Sequence, residues 1–448
     1  PVSHHHFGRR ISDGCVTCHA GRANRDVAKA NQFGTPVFHE LSLGCERCHG
    51  PGKQHIAFHS EAGGSPAADP IVNPADLDHA RQLSVCYQCH LHGADRVARS
   101  GRSEYDFRPG ERLSDVWVSF VNGAGINSDA TTDAVSQVEQ MHASRCYQRS
   151  EGRMTCTSCH DPHRIPSATE RTEFYRSRCL SCHAEQDAGC ALPETQRLEQ
   201  NPQDSCVACH MPARDAADVP HTSQTDHRII RSQSLLQPSA ADQEVVLIDP
   251  ELFPVPEIEQ RRARGILLAR RAESGSDSAA ATEAIRLLQS VLSDGAGDVR
   301  VLDALAACYD LSGDASRARS YLLQALSVSP DDEWVLRGLA ANCLQSGDHT
   351  DALKYLTQLL KDHPDDGRLL FQKTLALSRL NREAEAFETC LNALEVYPHE
   401  PGIRVTLIQL ARQLGREDVA DRQQRDLDRM NEVFRQFLQR SDTSEHRE

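Results

Sequence analysis

The chain has 448 residues, with 49 Lys and Arg against 64 Asp and Glu, and a formal net charge of −15 at pH 7. This acid excess argues against nucleic acid as a partner, because binding to phosphate backbones depends on positive charge. A membrane-spanning helix needs about eighteen or more consecutive apolar residues, and no such run occurs, so no transmembrane segment is predicted.

The first half of the chain repeats the motif Cys-x-x-Cys-His six times. The copies are Cys15, Cys18 and His19; Cys45, Cys48 and His49; Cys86, Cys89 and His90; Cys156, Cys159 and His160; Cys179, Cys182 and His183; and Cys206, Cys209 and His210. Two thiols at this spacing reach the two vinyl groups of one porphyrin, and the adjacent imidazole becomes the proximal iron ligand. Zinc is the alternative, but a zinc site does not need a His directly after the second Cys in every copy. The motifs therefore predict six covalently bound haem c groups.

The motifs account for twelve of the seventeen cysteines and also indicate the compartment. Covalent haem attachment is completed outside the bacterial cytoplasm, so we expect a periplasmic, surface-bound or secreted protein. The chain begins with Pro1 and not Met, as a processed chain would. In an oxidising compartment Cys146 and Cys190 could form a disulfide, or Cys146 could have an intermolecular or reactive role. The other three spare cysteines are expected to be buried apolar residues of the second half: Cys308, Cys343 and Cys390.

Residues 1–235 are rich in Gly, Pro, His and Cys and have few long periodic apolar runs. We expect no ordinary side-chain core there; instead, short helices and loops should surround the haems. Residues 236–256 contain several prolines and predict an extended linker. Arginine dominates over lysine in the motif region, which suggests that Arg47, Arg145 and Arg153 clamp haem propionates, unless the bias reflects genome composition.

Each iron needs a sixth ligand, and histidine is the abundant candidate. Methionine is scarce, whereas the motif region contains twelve histidines beyond the six proximal ones. This supply favours bis-histidine coordination throughout, which leaves no open position for a substrate and favours electron transfer over catalysis. The candidate distal ligands are His6, His39, His55, His142, His163, His221 and His227. Spacing does not assign them to particular irons.

The second half of the chain has a period of 34 residues. The repeated positions are Ala318, Ala352, Ala386 and Ala420; Gly313, Gly347, Asn381 and Gly415; and Pro330, Pro364 and Pro398. This pattern resembles the tetratricopeptide repeat, in which small residues let paired helices turn and pack closely. The predicted pairs are 257–274 with 281–293, 299–311 with 315–328, 333–346 with 349–362, 367–380 with 383–396, and 401–413 with 417–438. The solenoid should therefore span 257–438, followed by a polar tail at 439–448, and it could either cover the haem module or dock another protein.

Three longer segments resemble a known family. They are GCERCHGPGKQH from Gly44 to His55, QMHASRCYQRSEGRMTCTSCHDPH from Gln140 to His163, and CVACHMP from Cys206 to Pro212. With the downstream repeats, they look like the multihaem c-type cytochromes that have C-terminal tetratricopeptide repeats, distant relatives of the cytochrome c554 type. The resemblance implies a secreted bacterial electron carrier, with His55, His142 and His163 as iron ligands. Members of this group usually have a longer N-terminal portion, so we expect this chain to be a shortened or processed form.

The predicted fold class is mainly α: a loop-rich, haem-packed multihaem cytochrome module followed by an all-α tetratricopeptide-repeat solenoid. Three functions follow from it. The first is a periplasmic or extracellular electron shuttle that docks redox protein partners through the repeats. The second is a subunit of an extracellular cytochrome filament, in which a histidine from the cluster His4, His5 and His6 ligates a neighbouring copy's iron. The third is a reductase with one open haem, which no feature of the motifs marks.

Overall fold

The structure is a computed structural model that describes residues 11–25, 29, 31–60, 69–91, 93, 95–122, 135–183, 190–216, 222–231 and 245–444, without the side chains of residues 437–444. The chain forms two compact units. The repeat unit consists of residues 1–13, 24–37 and 264–448, and the motif unit consists of residues 14–23 and 38–263. Among the described residues, no helix is both long enough and apolar enough to cross a membrane.

The described residues are mainly helical. The helices are α1 (Asp13–His19), α2 (Glu46–His49), α3 (Lys53–Ser60), α4 (His79–His90), α5 (Gln137–Ala143), α6 (Arg145–Gln148), α7 (Arg171–His183), α8 (Glu194–Gln200), α9 (Cys206–His210), α10 (Glu257–Gly275), α11 (Ser278–Ser293), α12 (Val299–Leu311), α13 (Ala315–Val328), α14 (Glu333–Gln345), α15 (His349–Asp362), α16 (Gly367–Arg379), α17 (Glu383–Val396), α18 (Pro401–Gln413) and α19 (Glu417–Ser444). The strands are β1 (Arg22–Arg25), β2 (Phe33–Glu40), β3 (Asp95–Ala98), β4 (Trp117–Asn122), β5 (Ala213–Asp215), β6 (Ser223–Thr225) and β7 (Val245–Leu247). They form a β1-β2 pair, a β5-β6 pair and a three-stranded β3-β4-β7 sheet.

The middle of the motif unit has a side-chain core, which the sequence analysis did not expect. Helix α4 begins at the N-cap Asp78, whose side chain accepts a hydrogen bond from the Arg81 amide. Its buried face packs against the β3-β4-β7 region and α5. The core residues are Ala80, Leu83, Tyr87, Leu91, Phe107, Leu113, Val116, Trp117, Val138, Met141, Ile248 and Phe253. The prediction that no ordinary core forms in residues 1–235 is wrong for this part of the chain, because the apolar residues come from separated segments and show no local period.

The prediction that residues 1–235 lack a side-chain core agrees better with five other helices of the motif unit. Helices α2, α3, α7, α8 and α9 contain no buried residue. Large apolar side chains beside the motifs are exposed, among them Leu41 at 78% and Ile165 at 91%. Apolar surface left in water costs free energy, and the haems that the motifs predict would cover such faces.

The predicted extended linker at 236–256 also differs from the structure where it is described. Residues Val245–Leu247 form β7, which pairs antiparallel with β4 through Phe120 and Leu247. Ile248 and Phe253 enter the core of the motif unit. The prolines of this stretch therefore shape a packed return segment. The boundary between the two units falls later, between residues 263 and 264.

The repeat unit contains the five predicted helix pairs, from α10 with α11 to α18 with α19. Helix ends agree with the predictions within a few residues, except that α19 extends to Ser444. The periodic alanines are fully buried at the helix crossings, with Ala318, Ala352 and Ala386 at 0% exposure. The 34-residue period predicted these positions correctly because close helix packing admits only a small side chain there.

The turns inside the repeats explain the second periodic position. Gly313, Gly347 and Gly415 have φ of 79°, 81° and 69°, and Asn381, in the same register, has φ of 56°. This left-handed conformation is accessible to glycine and tolerated by asparagine. The sequence period thus reflects a backbone requirement at the turn between paired helices.

Acidic N-caps and ion pairs connect successive repeats. Asp332 and Asp366 cap α14 and α16 at the 34-residue spacing, each accepting backbone amide hydrogen bonds. Arg337 bridges its own repeat to the next, because its guanidinium lies 2.9 Å from Glu333 and 2.7 Å from Asp366. Each repeat is thereby joined to its neighbour by polar contacts as well as by apolar packing.

A short segment between the first two motifs also belongs to the repeat unit. Lys29 Nζ lies 2.8 Å from Asp362 Oδ1. Asn31 Nδ2 donates to Glu333 Oε2 at 3.3 Å, and Gln32 Nε2 donates to the Asp362 carbonyl oxygen at 3.0 Å. The chain therefore leaves the motif unit after residue 23, contacts the ends of α14 and α15, and returns at residue 38.

Candidate functional site

Short helical turns carry the six motifs. The proximal histidine is the last residue of α1, α2, α4, α7 and α9, and the fourth motif begins with a 3-10 turn at Cys156–Ser158. In a helical turn, residues three apart lie on one face, so both cysteines of a motif point to the same side. This arrangement is the one that two thioether bonds to a single porphyrin require.

Cysteines of different motifs contact one another through the motif unit. Thiol hydrogen bonds join Cys18 to Cys89, Cys86 to Cys156, and Cys179 to Cys206. Weaker electrostatic contacts link further neighbours, Cys48 with Cys86 and Cys159 with Cys182. The first and second motifs therefore adjoin the third, which is followed by the fourth, fifth and sixth. Each attachment site therefore lies within electrostatic range of a cysteine of another motif.

The thiol pairs have opposed acidities. The hydrogen bond from Cys179 lowers the pKa of Cys206 to about 6, and the same contact raises the pKa of Cys179. The hydrogen bond from Cys18 likewise lowers the pKa of Cys89 to about 7. One thiol of each pair is thus the donor and its neighbour the acceptor.

Two proximal histidines are already oriented as metal ligands. The Nδ1 atom of His49 lies 2.8 Å from the Val72 carbonyl oxygen, and that of His210 lies 2.8 Å from the Ile230 carbonyl oxygen. A backbone carbonyl accepts only a hydrogen, so each ring holds its proton on Nδ1 and leaves Nε2 available. Histidines that bind metals are commonly fixed by such a contact.

Two proximal histidines face a second imidazole. The ring centres of His49 and His163 are 5.8 Å apart with planes inclined by 14°, and those of His160 and His227 are 6.2 Å apart with planes inclined by 27°. Two imidazoles that bind one metal ion from opposite sides, with metal–nitrogen bonds of about 2.0 Å, have ring centres about 6 Å apart. The centre distances of both pairs match this spacing.

His55 is held by a carboxylate. Its Nδ1 lies 2.7 Å from Asp69 Oδ1, and His59 Nε2 lies 2.9 Å from Asp69 Oδ2. These hydrogen bonds lower the pKa of Asp69, the contact with His55 being the larger cause. The contact also leaves Nε2 of His55 free of Asp69. A carboxylate behind a ligating imidazole is a common means of fixing its orientation.

His142 lies in a buried aromatic environment. Its Nε2 and the Tyr87 hydroxyl oxygen form a hydrogen bond of 2.6 Å, and its ring stacks on Tyr147 with a centre distance of 4.2 Å. Burial lowers the pKa of His142 to about 4, and burial also lowers the pKa of His160 and His227. The neutral form of imidazole, which these environments favour, is the form that binds metals.

Three predicted ligands remain. His6 and His221 lie outside the described residues. His39 lies exposed on β2. For the residues that the structure describes, His163 and His227 are the predicted distal ligands that face proximal rings.

Two further predictions concern a disulfide between Cys146 and Cys190 and the arginines near the motifs. Cys146 and Cys190 are both free thiols, and the neighbours of Cys146 are Cys159 and Cys182. Arg47 lies among the attachment cysteines Cys18, Cys48 and Cys89. The clamping of haem propionates by Arg47, Arg145 and Arg153 stays a prediction. Arg145 and Arg153 are exposed.

Sequence reasoning missed the residues that support the histidines. Asp69, Tyr87 and the carbonyl groups of Val72 and Ile230 carry no motif signal. A carbonyl acceptor depends only on backbone position, and Asp69 is one of many acidic residues in the chain. One signal was available in the sequence. His55 and His59 are four residues apart, which places both imidazoles on one side of helix α3, where they can share an acidic partner.

Comparisons with known proteins support two parts of this description. Residues 150–188 match the family model described as a doubled CXXCH motif, and residues 311–372 match the model of the tetratricopeptide repeat. A curated relative, the multiheme cytochrome MtrA of Shewanella baltica (strain OS185), is 26% identical over 197 residues, which is 40% of this chain and 54% of MtrA. The chain thus spans about half the length of the curated relative that it matches. The motifs and this similarity indicate covalently bound haem c.

Solved structures of MamA match part of the chain. A mutant form of MamA is 24% identical and covers 39% of this chain and 96% of its own, with a TM-score of 0.35. MamA from Desulfovibrio magneticus RS-1, residue 41 to the end, is 19% identical and covers 39% of this chain and 98% of its own, with a TM-score of 0.33.

Proposed function

We propose that the protein transfers electrons through six covalently bound c-type haems, one on each motif. The observation that supports this proposal is the proximity of the six attachment sites, in which a cysteine of each motif interacts with a cysteine of another by a hydrogen bond or electrostatically. Electron tunnelling falls steeply with distance, so a relay requires neighbouring porphyrins. Attachment sites this close together would meet that requirement.

The residues of the motif unit would hold and orient the haems. The twelve motif cysteines provide the thioether bonds and the six motif histidines the proximal ligands. We assign His163 as the second ligand opposite His49, and His227 as the second ligand opposite His160, because of their ring spacing. When bound, each haem supplies a one-electron iron couple. Asp69 would orient His55 as a further ligand through the hydrogen bond to Nδ1.

Bis-histidine ligation supports electron transfer over catalysis. With both axial positions occupied by imidazoles, an iron has no site for a substrate. The supply of distal histidines also includes His6, His39, His142 and His221 for the irons that the two ring pairs do not account for. A reductase with one open haem would need an iron with a single protein ligand.

The repeat unit would dock a redox protein partner, and the protein would work outside the cytoplasm, in the periplasm or at the cell surface. Tetratricopeptide arrays present extended surfaces to other proteins. Completion of c-type haem attachment outside the cytoplasm supports the location. The alternative, a filament whose subunits share a histidine of the His4 to His6 cluster, places its key contact outside the described residues.

The test is to characterise the haem-loaded protein. Intact mass and the pyridine haemochrome absorbance should give six haems per chain, and electron paramagnetic resonance of the oxidised protein should show only low-spin iron. Unmodified thiols in any motif would contradict the count. A high-spin signal would favour the reductase, and filaments in electron micrographs would favour the polymer over the discrete carrier.

A further inference from the structure

The first three motifs meet at one hydrogen-bonded cluster. Its members, Thr17, Arg47 and Gln88, each stand directly before the second cysteine of their motif. Gln88 Nε2 donates to the Arg47 carbonyl oxygen at 3.0 Å, and Arg47 Nη2 donates to the Thr17 carbonyl oxygen. Neither hydrogen bond uses a cysteine thiol, so both are compatible with haem attachment at all three motifs. We call these three residues the three-motif junction.

The junction is withdrawn from water. Thr17 is 2% exposed and Gln88 is 3% exposed. Gln88 Nε2 also donates to the Val85 carbonyl oxygen at 2.8 Å, which fixes its amide. Arg47 Nε is buried and has no hydrogen-bond acceptor among the residues that the structure describes. A guanidinium in such a position keeps its charge, because arginine does not deprotonate in proteins.

The charge of Arg47 is not cancelled by its contacts. The guanidinium contacts the Thr17 carbonyl oxygen, which is uncharged, and Cys89 Sγ, which becomes an uncharged thioether when haem is attached. The second guanidinium nearby, Arg96, differs because it faces the Glu104 carboxylate at 3.5 Å and stacks on Trp117 at 4.1 Å. Arg47 therefore acts electrostatically on cysteines of all three motifs, Cys18, Cys48 and Cys89, whereas Arg96 acts on Cys18 and Cys89.

We propose that the three-motif junction makes the haems of the first three motifs one electrostatic group, whose reduction potentials Arg47 raises together. The proposal rests on the proposed electron-transfer function. Oxidation of an iron adds a positive charge, and a fixed cation in a low-dielectric site opposes that addition. The reduced state of the three nearby haems is thereby favoured over that of the haems on motifs four to six.

A consequence concerns the direction of electron flow. The third motif is also the contact point to the fourth, through Cys86 and Cys156. Electrons that enter at motifs five or six would pass through motif four and collect on the three junction haems. Arg47 would act through its charge on the reduction potentials, and it would contact neither an iron nor an electron-donor protein.

The experiment is a spectroelectrochemical titration of full-length haem-loaded Arg47→Gln. The expected result is a downward shift of three of the six potentials, whereas Arg47→Lys, which keeps the charge, stays near the wild type. Arg153→Gln is the matched control, because Arg153 also adjoins a motif but is exposed and donates Nε to the Ser150 carbonyl oxygen at 3.1 Å. Haem count and spin state are measured first for each variant.

Several outcomes would overturn the proposal. A titration curve of Arg47→Gln that matches Arg153→Gln would show no tuning, and a shift of a single haem would remove the group of three. Arg47→Met is a second neutral variant in case Arg47→Gln loads fewer haems. If both neutral variants fail to load six haems while Arg47→Lys loads them, Arg47 serves attachment and not tuning. A wild type without six haems would instead contradict the proposed function itself.

Discussion

The histidine pairs show how single residues define the site. His163 follows the fourth motif but faces the proximal ligand of the second, His49, with ring centres 5.8 Å apart. His227 faces His160 in the same manner. Each pair joins segments that are far apart in the chain, so one substitution should affect one iron in a defined motif.

Replacement of the second ligand should change one potential. In His163→Met we expect the haem of the second motif to acquire a thioether ligand and a higher reduction potential, because His/Met ligation raises the potential relative to bis-histidine ligation. A redox titration should resolve one upshifted haem of six. His59→Met is the control. His59 contacts Asp69, and among the described residues its ring contacts no proximal histidine. Equal titration curves for the two variants would refute the assignment of His163.

For single residues, the motifs predict the cofactor and its covalent ligands but not which distal histidine faces which proximal histidine. The motif spacing is local chemistry, so each attachment cysteine and proximal histidine could be named. The pairing of His49 with His163 depends on the packing of distant loops, which no spacing encodes. The support from Val72, Ile230 and Asp69 was equally hidden, because two of the three contacts use backbone carbonyl groups.

Single elements of the repeat unit follow rules that are visible in the sequence. Asp366 is the N-cap of α16, accepting hydrogen bonds from the Arg368 and Leu369 amides, and it also contacts Arg337 of the preceding repeat at 2.7 Å. The cap and the ion pair both depend on one carboxylate. That carboxylate recurs at the 34-residue spacing as Asp332.

Removal of this cap should destabilise the protein measurably. Asp366→Ala is expected to lower the free energy of unfolding by about 1–2 kcal/mol, the usual cost of a lost cap together with a partly exposed ion pair. Denaturant unfolding followed by far-ultraviolet circular dichroism measures this change. Asp365→Ala, one residue earlier, should change stability by less than about 0.5 kcal/mol. Equal losses in the two variants would mean that the cap is not what stabilises α16.

Helix α12 contains a carboxyl group with a stability cost that depends on pH. Burial raises the pKa of Asp303 to about 6, an effect that Arg300 opposes and that Asp332 and Glu273 increase. The folded protein therefore binds a proton on Asp303 at pH values where the unfolded chain has lost it. Ionisation of Asp303 should destabilise the fold progressively as the pH rises from about 4 to about 6.

Asp303→Asn should remove this cost. At pH 7.5 the variant is expected to be more stable than the wild type by about 1–2 kcal/mol, while at pH 4 the two should be nearly equal. Unfolding curves at several pH values test the difference. A stability difference that stays constant across this pH range would show that Asp303 is not the titrating group.

Helices with a periodic sequence were predicted well, whereas elements without a period were not. The repeat helices were predicted almost residue by residue, since Ala318, Ala352 and Ala386 mark close helix crossings at a fixed period. The core around Tyr87 and Trp117 was missed because its members come from non-periodic segments. The return strand β7 was read as linker because prolines surround it.

For the whole molecule, the proposed function implies that electrons would pass through the middle of the series of motifs. The fourth motif connects the third to the fifth through Cys156 and Cys159. The repeats form a separate compact unit with its own apolar core. Loss of one central haem should therefore stop the relay without unfolding the repeats.

His160→Ala tests this expectation. The variant should lose through-conduction between donors and acceptors placed at the two ends of the series, because the proximal ligand of the fourth haem is missing. Its repeat helices should remain folded, as measured by hydrogen exchange of α12–α18. Electron transfer at the wild-type rate would mean that the haems do not form a single path.

The most direct test of the account is an electron cryomicroscopy structure of the native haem-loaded protein. The account predicts six haems in one unbroken series, with His163 and His49 on the iron of the second motif and His227 and His160 on that of the fourth. A structure with fewer than six haems, a break between motifs three and four, or other ligands on these two irons would contradict it.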